Sequence, residues 1–352
     1  GLFVTTMNFA GPLQWQMERQ LATNLGPGMH TIRIRSAGTG WVWIDAFRSG
    51  ATTTGGVATA SLVAPFLPGT ATVRAVAIGA GLGGSALTWP SAQTTVSFPG
   101  PMEVWVDDDY CSTCANDGHI WNYTAFDTIQ GGVDGVLGGG IVHVLAGTYA
   151  GNVTVGKPVS LLGAGSAAVF VQGTNTPGTR GFYVNRADNV TIRGFNISQF
   201  ERGIFLRGTG SGPGPRVFNA TIIENAFENN NAGSNSYAVY GQHVYTSTIC
   251  NNDVSSGYHG IYLEEVYGTA ICYDDIYFNQ GFGIQINTGT DNSIDNCYIY
   301  ENANLGIELS GTTQRNGVYG NTLRDLAWDG VLVNGSGSSE VDIGANVIER
   351  TN

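Results

Sequence analysis

The chain is poor in charge. Lys157 is its one lysine, and Asp, Glu, Lys and Arg together make up 12% of 352 residues, against 52 glycines. Any acid, base or Schiff-base role that needs a lysine amine therefore rests on a single residue. With 27 acidic and 15 basic residues the formal charge is -12, and no basic stripe interrupts it. A nucleic-acid partner is not expected, because this surface would repel a phosphate backbone. No run approaches the roughly 18 apolar residues of a membrane span. Five cysteines are too few for a disulfide scaffold. No methionine or basic-then-apolar lead precedes Gly1, which reads as a removed signal or a trimmed chain.

Glycine, asparagine, serine and threonine are abundant instead. Asn-x-Ser/Thr sequons make Asn122, Asn152, Asn189, Asn196, Asn219 and Asn334 glycosylation candidates. Chance accounts for nearly that many, so the depletion of lysine beside Thr/Ser/Asn/Gly richness is the better indication of an extracellular or cell-surface protein.

The main signal is a repeat. Gly or Ala followed by alternating apolar residues recurs as GFYV at 181, GIFL at 203, AVYG at 238, GIYL at 260, GIQI at 283, GIEL at 306 and GVLV at 330. A second pattern follows each: IRGFNI at 192, IIENAF at 222, ICNNDV at 249, ICYDDI at 271, IDNCYI at 294, VYGNTL at 318 and IGANVI at 343. Short alternating runs between Gly/Asn-rich turns are strands with one buried face. A period this short, without leucine-rich or helical spacing, predicts a solenoid of stacked parallel strands at ~4.8 Å per rung. Ile261, Ile284, Ile307 and Val331 would form an internal ladder. Asn225, Asn252, Asp274, Cys297, Asn321 and Asn346 share the fourth place of the second pattern, and asparagine's tolerance of left-handed backbone suggests a corner column.

These residues, with the opening segment VWVDDDY…FDTIQGGVDGVLGGGIVHVLAGTY and a capping segment at 126 to 137, resemble the right-handed parallel β-helix superfamily, the pectin-lyase-like fold. The similarity runs over 103 to 352 and is greatest to its generic repeat proteins, such as periplasmic copper-maturation and surface β-helix proteins. It implies an all-β chain with about nine coils. The polygalacturonase-like order Asn-Thr-Asp, Asp-Asp, Gly-His-Gly, Arg-x-Lys is not met: His259 precedes Asp274 and Asp275, Tyr258 splits the glycine from the histidine, and no Arg-x-Lys exists.

Catalytic candidates are Asp275, Glu264, His259 and Asp253, because glycoside hydrolysis needs two carboxyls roughly 5 to 10 Å apart and stacked rungs bring acids close. In a repeat, any two acids on adjacent rungs meet this condition. Phe205, Tyr240 and Tyr262 lie two places after the repeat glycine and form either a sugar-stacking platform or a self-supporting aromatic ladder. Asp107, Asp108 and Asp109 could hold calcium or form an exposed turn; no other cofactor is expected. Cys111 and Cys114 read as a local disulfide or simple loop cysteines, their C-x-x-C with His119 lacking a fourth zinc ligand. Cys250 and Cys272 share one register on adjacent rungs, within disulfide reach.

Residues 1 to 99 alternate differently, and Pro99 to Met102 mark a boundary. The expectation is a β-sandwich domain at 1 to 99 followed by the β-helix domain at 103 to 352. HTIRIRSAGTGWVWID faintly resembles the last strands of a carbohydrate-binding jelly roll. Leu2, Phe3 and Val4 form a strand-prone leader, and Val341, Ile343, Val347 and Ile348 end the repeat without a cap. Those two ends suggest head-to-tail self-association or filament formation. A structural or adhesive surface protein is the favoured function. A secreted polysaccharide hydrolase or lyase is the alternative, and a carbohydrate-binding protein the third. Partners are then other copies of the chain or glycans.

Overall fold

Alternation decides which side chains enter the core. Along Ile284–Thr290 the isoleucines at 284 and 286 are buried while Gln285 and Asn287 reach the surface, as a strand with one face on a core requires. The structure is a computed structural model that describes residues 31–34, 59–62, 69–75, 78–80, 86–88, 92–98, 100–209, 216–335 and 337–350. Leu2, Phe3 and Val4 lie outside the described residues. The chain divides into two units, Gly1–Pro99 and Gly100–Asn352. In the first, Thr31–Ile34 pairs in parallel with Thr59–Leu62, whereas Gly69–Ala75 with Ala92–Phe98, and Ile78–Ala80 with Ala86–Thr88, are antiparallel. The packing of these pairs, and with it the expected sandwich, lies outside the described residues.

The second unit is a right-handed parallel β-helix of about ten coils, slightly more than the expected nine. The difference arises before residue 181, where strands such as Gly140–Val144 and Val159–Gly163 carry no repeat signature. Each coil holds three strands. The second sequence pattern spans a corner: ICYDDI divides into Ala270–Cys272 and Asp275–Tyr277. Three parallel sheets result, which we call first, second and third in the order the chain visits them, with eleven, nine and ten strands respectively. Ile261, Ile284 and Ile307 stack in register inside, followed by a partly buried Val331. The segment at 126 to 137 contains a helix, Ile129–Gly135, whose Thr128 side chain accepts the Gly131 N–H at 3.1 Å. Its Ile129 and Val133 are buried with Val104, Val106 and Val142. Gly132 lets it sit that close, since a Cβ there would lie 2.6 Å from Val106.

From Arg193 onward two residues join the first sheet to the second. The left-handed residue at this corner is the first of them, Glu224, Asn251, Tyr273, Asn296, Gly320 or Ala345. The column of Asn225, Asn252 and Asn321 comes next, buried, and its role is hydrogen bonding rather than backbone tolerance. Asn252 Oδ1 accepts the Asn225 N–H at 3.1 Å, and Asn252 Nδ2 donates to Ile222 O at 3.0 Å. Two further columns serve the other corners: Asn230, Asn279 and Asn302, and Ser247, Thr269, Asn292 and Asn316. The asparagine amides of these columns thus find backbone partners. Cys250 bonds to Cys272 between adjacent rungs and Cys111 to Cys114 within one loop, while Cys297 is free and buried. On the last coil Val341 packs partly on the core, and Ile343, Val347 and Ile348 are exposed.

Candidate functional site

The outer face of the third sheet carries a double column of planar side chains. In register run Arg180, Arg202, Tyr237 and His259, and beside them Tyr183, Phe205, Tyr240, Tyr262, Gln285 and Glu308. The first column stands immediately before the repeat Gly or Ala, a register that the repeat pattern does not mark although His259 belongs to it. That glycine is needed because a Cβ at Gly203 would lie 2.6 Å from the Ala238 carbonyl oxygen of the next rung. Phe205 stacks on Tyr240 at 4.9 Å, Tyr240 on Tyr262 at 5.4 Å with planes 8° apart, and His259 on Phe282 at 4.0 Å. The Arg202 guanidinium lies 4.6 Å from the Phe205 ring centre and 4.5 Å from that of Tyr240. The rings stand face to face, and Phe205 is only 3% exposed. Phe205, Tyr240 and Tyr262 therefore offer edges and hydroxyls, and no open faces for sugar stacking.

Polar groups end the second column and line a third, in which Gln242, Glu264, Asn287 and Ser310 run in register. Glu264 accepts hydrogen bonds from the Tyr240 hydroxyl at 3.2 Å and Gln242 Nε2 at 2.9 Å. Gln285 Nε2 donates to Glu308 at 2.8 Å. Burial raises the Glu308 carboxyl above its usual range. Burial, then Glu264, keeps the Tyr240 phenol protonated. Burial lowers His259 to about 4, so its imidazole is neutral near pH 7. Its Nδ1 accepts the Phe282 N–H at 3.3 Å, which fixes the tautomer. Arg180 and Arg202 each keep a buried Nε without a partner.

The four catalytic candidates separate onto two faces. Glu264 and His259 lie on the third sheet; Asp253 and Asp275 are in-register partners on the second, where the Tyr277 hydroxyl donates to Asp253 at 3.3 Å. Burial, then Asp253, raises Asp275. Asp274 points inward, fully buried. Of the sequon asparagines, Asn196 is 7% exposed in a strand and cannot accept a glycan; Asn122, Asn152, Asn189, Asn219 and Asn334 are exposed.

The solenoid and its closed outer columns define a β-helix protein. Residues 146–326 match the family described as "Periplasmic copper-binding protein (NosD)", just over half of the chain, and the chain belongs to that family. No curated protein matches its sequence. Among solved structures it is similar to ORF18 of Geobacillus virus E2, at 17% identity over 64% of this chain and 58% of that one, TM-score 0.42. Pectate lyase Pel9A is similar at 14% identity over 72% and 79%, TM-score 0.44. The A-module of the Azotobacter vinelandii mannuronan C-5 epimerase AlgE4 is similar at 15% identity over 61% and 89%, TM-score 0.34. At such identities the likeness concerns the fold alone.

The copper in the family's description finds no matching donor set among the described residues. Copper prefers imidazole and sulfur ligands. His119 and His143 stack on Trp105, His243 pairs with Glu265 at 2.8 Å, His259 is enclosed, and four of the five cysteines are in disulfides. The one converging group is Asp107, Asp108 and Asp109, with ligand atoms within 4.8 Å, a hard oxygen set suited to calcium. Two of these carboxylates already accept backbone N–H groups, from Asp109 and Thr148.

Proposed function

We propose that the chain is an extracellular or cell-surface structural and adhesive solenoid. The observation that carries this reading is the closure of the third-sheet face. Rings stack on rings, guanidinium groups on rings, and carboxylates bond to neighbouring hydroxyls and amides, so the groups that chemistry would use are spent on the rod itself. The family's periplasmic description and the absence, among the described residues, of a helix long and apolar enough to cross a membrane are compatible with export.

A polysaccharide-acting enzyme is the second reading, favoured by one observation. Glu308, raised by burial, and Glu264, held by Tyr240 and Gln242, lie on one face in neighbouring columns two rungs apart, so that two carboxyls in different surroundings share a surface. Incubation with pectin, alginate and neutral glycans, followed by assay of new chain ends, separates the two. The structural reading expects none. Turnover that Glu264→Gln or Glu308→Gln reduces by 100-fold or more would reverse the order.

A further inference from the structure

The second sheet presents a different surface. Along one rung stand Tyr273, Asp275, Tyr277 and Phe278; Asp253 lies under Asp275, and Tyr298 and Tyr300 lie above Asp275 and Tyr277. Tyr273 is 60% and Phe278 53% exposed. Both occupy corner positions with left-handed backbone, φ 55° and 54°. Other coils place residues such as Glu224, Asn229, Asn251, Ser256, Asn296, Glu301 or Ala345 at these corners, which is chemically reasonable, because bulky side chains disfavour this conformation. Among the described residues no other phenyl or phenol ring adopts it. The corner conformation turns the two rings outward at either end of the strand. Tyr273 has no stacking or side-chain hydrogen-bond partner among the described residues, and Phe278 meets Tyr277 and Tyr300 at 72° and 68°, edge to face rather than stacked. Exposed aromatic residues at left-handed corners, bracketing a carboxylate pair, point to a function for this rung.

We propose that this rung and its neighbours bind a neutral glycan chain. Open aromatic faces take the C–H face of a pyranose, and in-register carboxylates accept hydrogen bonds from its hydroxyls. An acidic polymer is disfavoured: Asp253, Asp275 and Glu228 supply negative charge, and the cation at the edge, Arg324, is held by Asp325 at 3.0 Å and lies near the Tyr298 and Tyr300 rings. The inference names the ligand of the adhesive reading and rests on it; two of the catalytic candidates, Asp253 and Asp275, stand on this face, whereas the Glu264 and Glu308 of the enzymatic alternative lie on the third sheet.

The test is gel retardation of the full chain by hydroxyethylcellulose, galactomannan and arabinoxylan, with polygalacturonate and a hexalysine peptide as contrasting probes. The site predicts retardation by at least one neutral polymer. It also predicts that the Tyr273→Asn/Phe278→Asn double variant loses it by 10-fold or more and Asp275→Asn weakens it. Asparagine suits left-handed corners, so the double variant should melt no lower than the parent, which separates lost binding from lost folding. Retardation by none of the neutral polymers, retardation unchanged in the double variant, or selective binding of polygalacturonate or hexalysine each overturns the site. None of these outcomes decides whether the solenoid is structural, which the chain-end assay tests independently.

Discussion

Asp274 shows how much one atom matters in this fold. It occupies the asparagine column, where its Oδ1 accepts both the N–H and Nδ2 of Asn252 at 2.7 and 2.9 Å. Its Oδ2 is buried without a partner, where an asparagine would present an amide donor. Desolvation drives its pKa well above the usual aspartate value, against the Asn252 hydrogen bonds that favour ionisation. A carboxyl raised by folding binds more protons in the folded than in the unfolded state. Its destabilising effect therefore begins near the ordinary aspartate pKa and grows as pH rises toward the folded value. Asp274→Asn should restore the donor and raise stability at pH 8 by about 1–3 kcal/mol, with the gain shrinking toward pH 4. Thermal unfolding of both proteins across that range checks it, and a gain independent of pH would contradict the linkage. The sequence already assigned Asp274 to the corner column and kept Asp275 as the catalytic candidate, and the structure adds that Asp274 points inward.

Among elements, the corner columns carry the specificity of the stack. Asn252 bridges three rungs: it accepts from Asn225, donates to the Ile222 carbonyl and donates to Asp274. Asn252→Ala would strand several buried backbone groups and cost about 3 kcal/mol. Asn251→Ala, at the exposed left-handed residue one place earlier, should cost about 1 kcal/mol. Denaturant midpoints for the two variants test the contrast, and equal losses would mean that corner conformation outweighs the ladder. One column was legible in the sequence because its residues fall at a fixed place in an apolar motif. The Asn230–Asn279–Asn302 column was not, since it falls beyond the apolar motif, two residues after each second-sheet strand, and Gly257 and Leu326 interrupt the asparagines at that place. The paired planar residues on the third sheet were half legible. Tyr240 and Tyr262 follow the repeat glycine, but Arg202, Tyr237 and His259 precede it and differ in type, so that only register unites them.

For the whole molecule, stability is a sum of rungs and their interfaces; on the last described coil Ile343, Val347 and Ile348 are exposed, and the adhesive reading proposes that copies join through them. Sedimentation velocity at rising concentration should then show oligomers that Ile343→Asp/Ile348→Asp reduces at least 10-fold; a monomer at every concentration would remove self-association from the reading. The solenoid itself was the most legible feature, because a repeat announces its period many times over, whereas binding by Tyr273 and Phe278 depends on two corners that no repetition marks. Those corners also have a consequence for molecular measurement. From Arg193 onward the chain spends the same two residues from the first sheet to the second, such as 224–225 or 273–274, while from the second to the third it spends three at 199–201, eight at 229–236 and six at 278–283. Length is fixed on one side and free on the other, so peptides grafted into the free side would sit at multiples of about 4.8 Å along a common line, graduating the protein as a ruler on which two epitopes or dyes can be set at chosen separations.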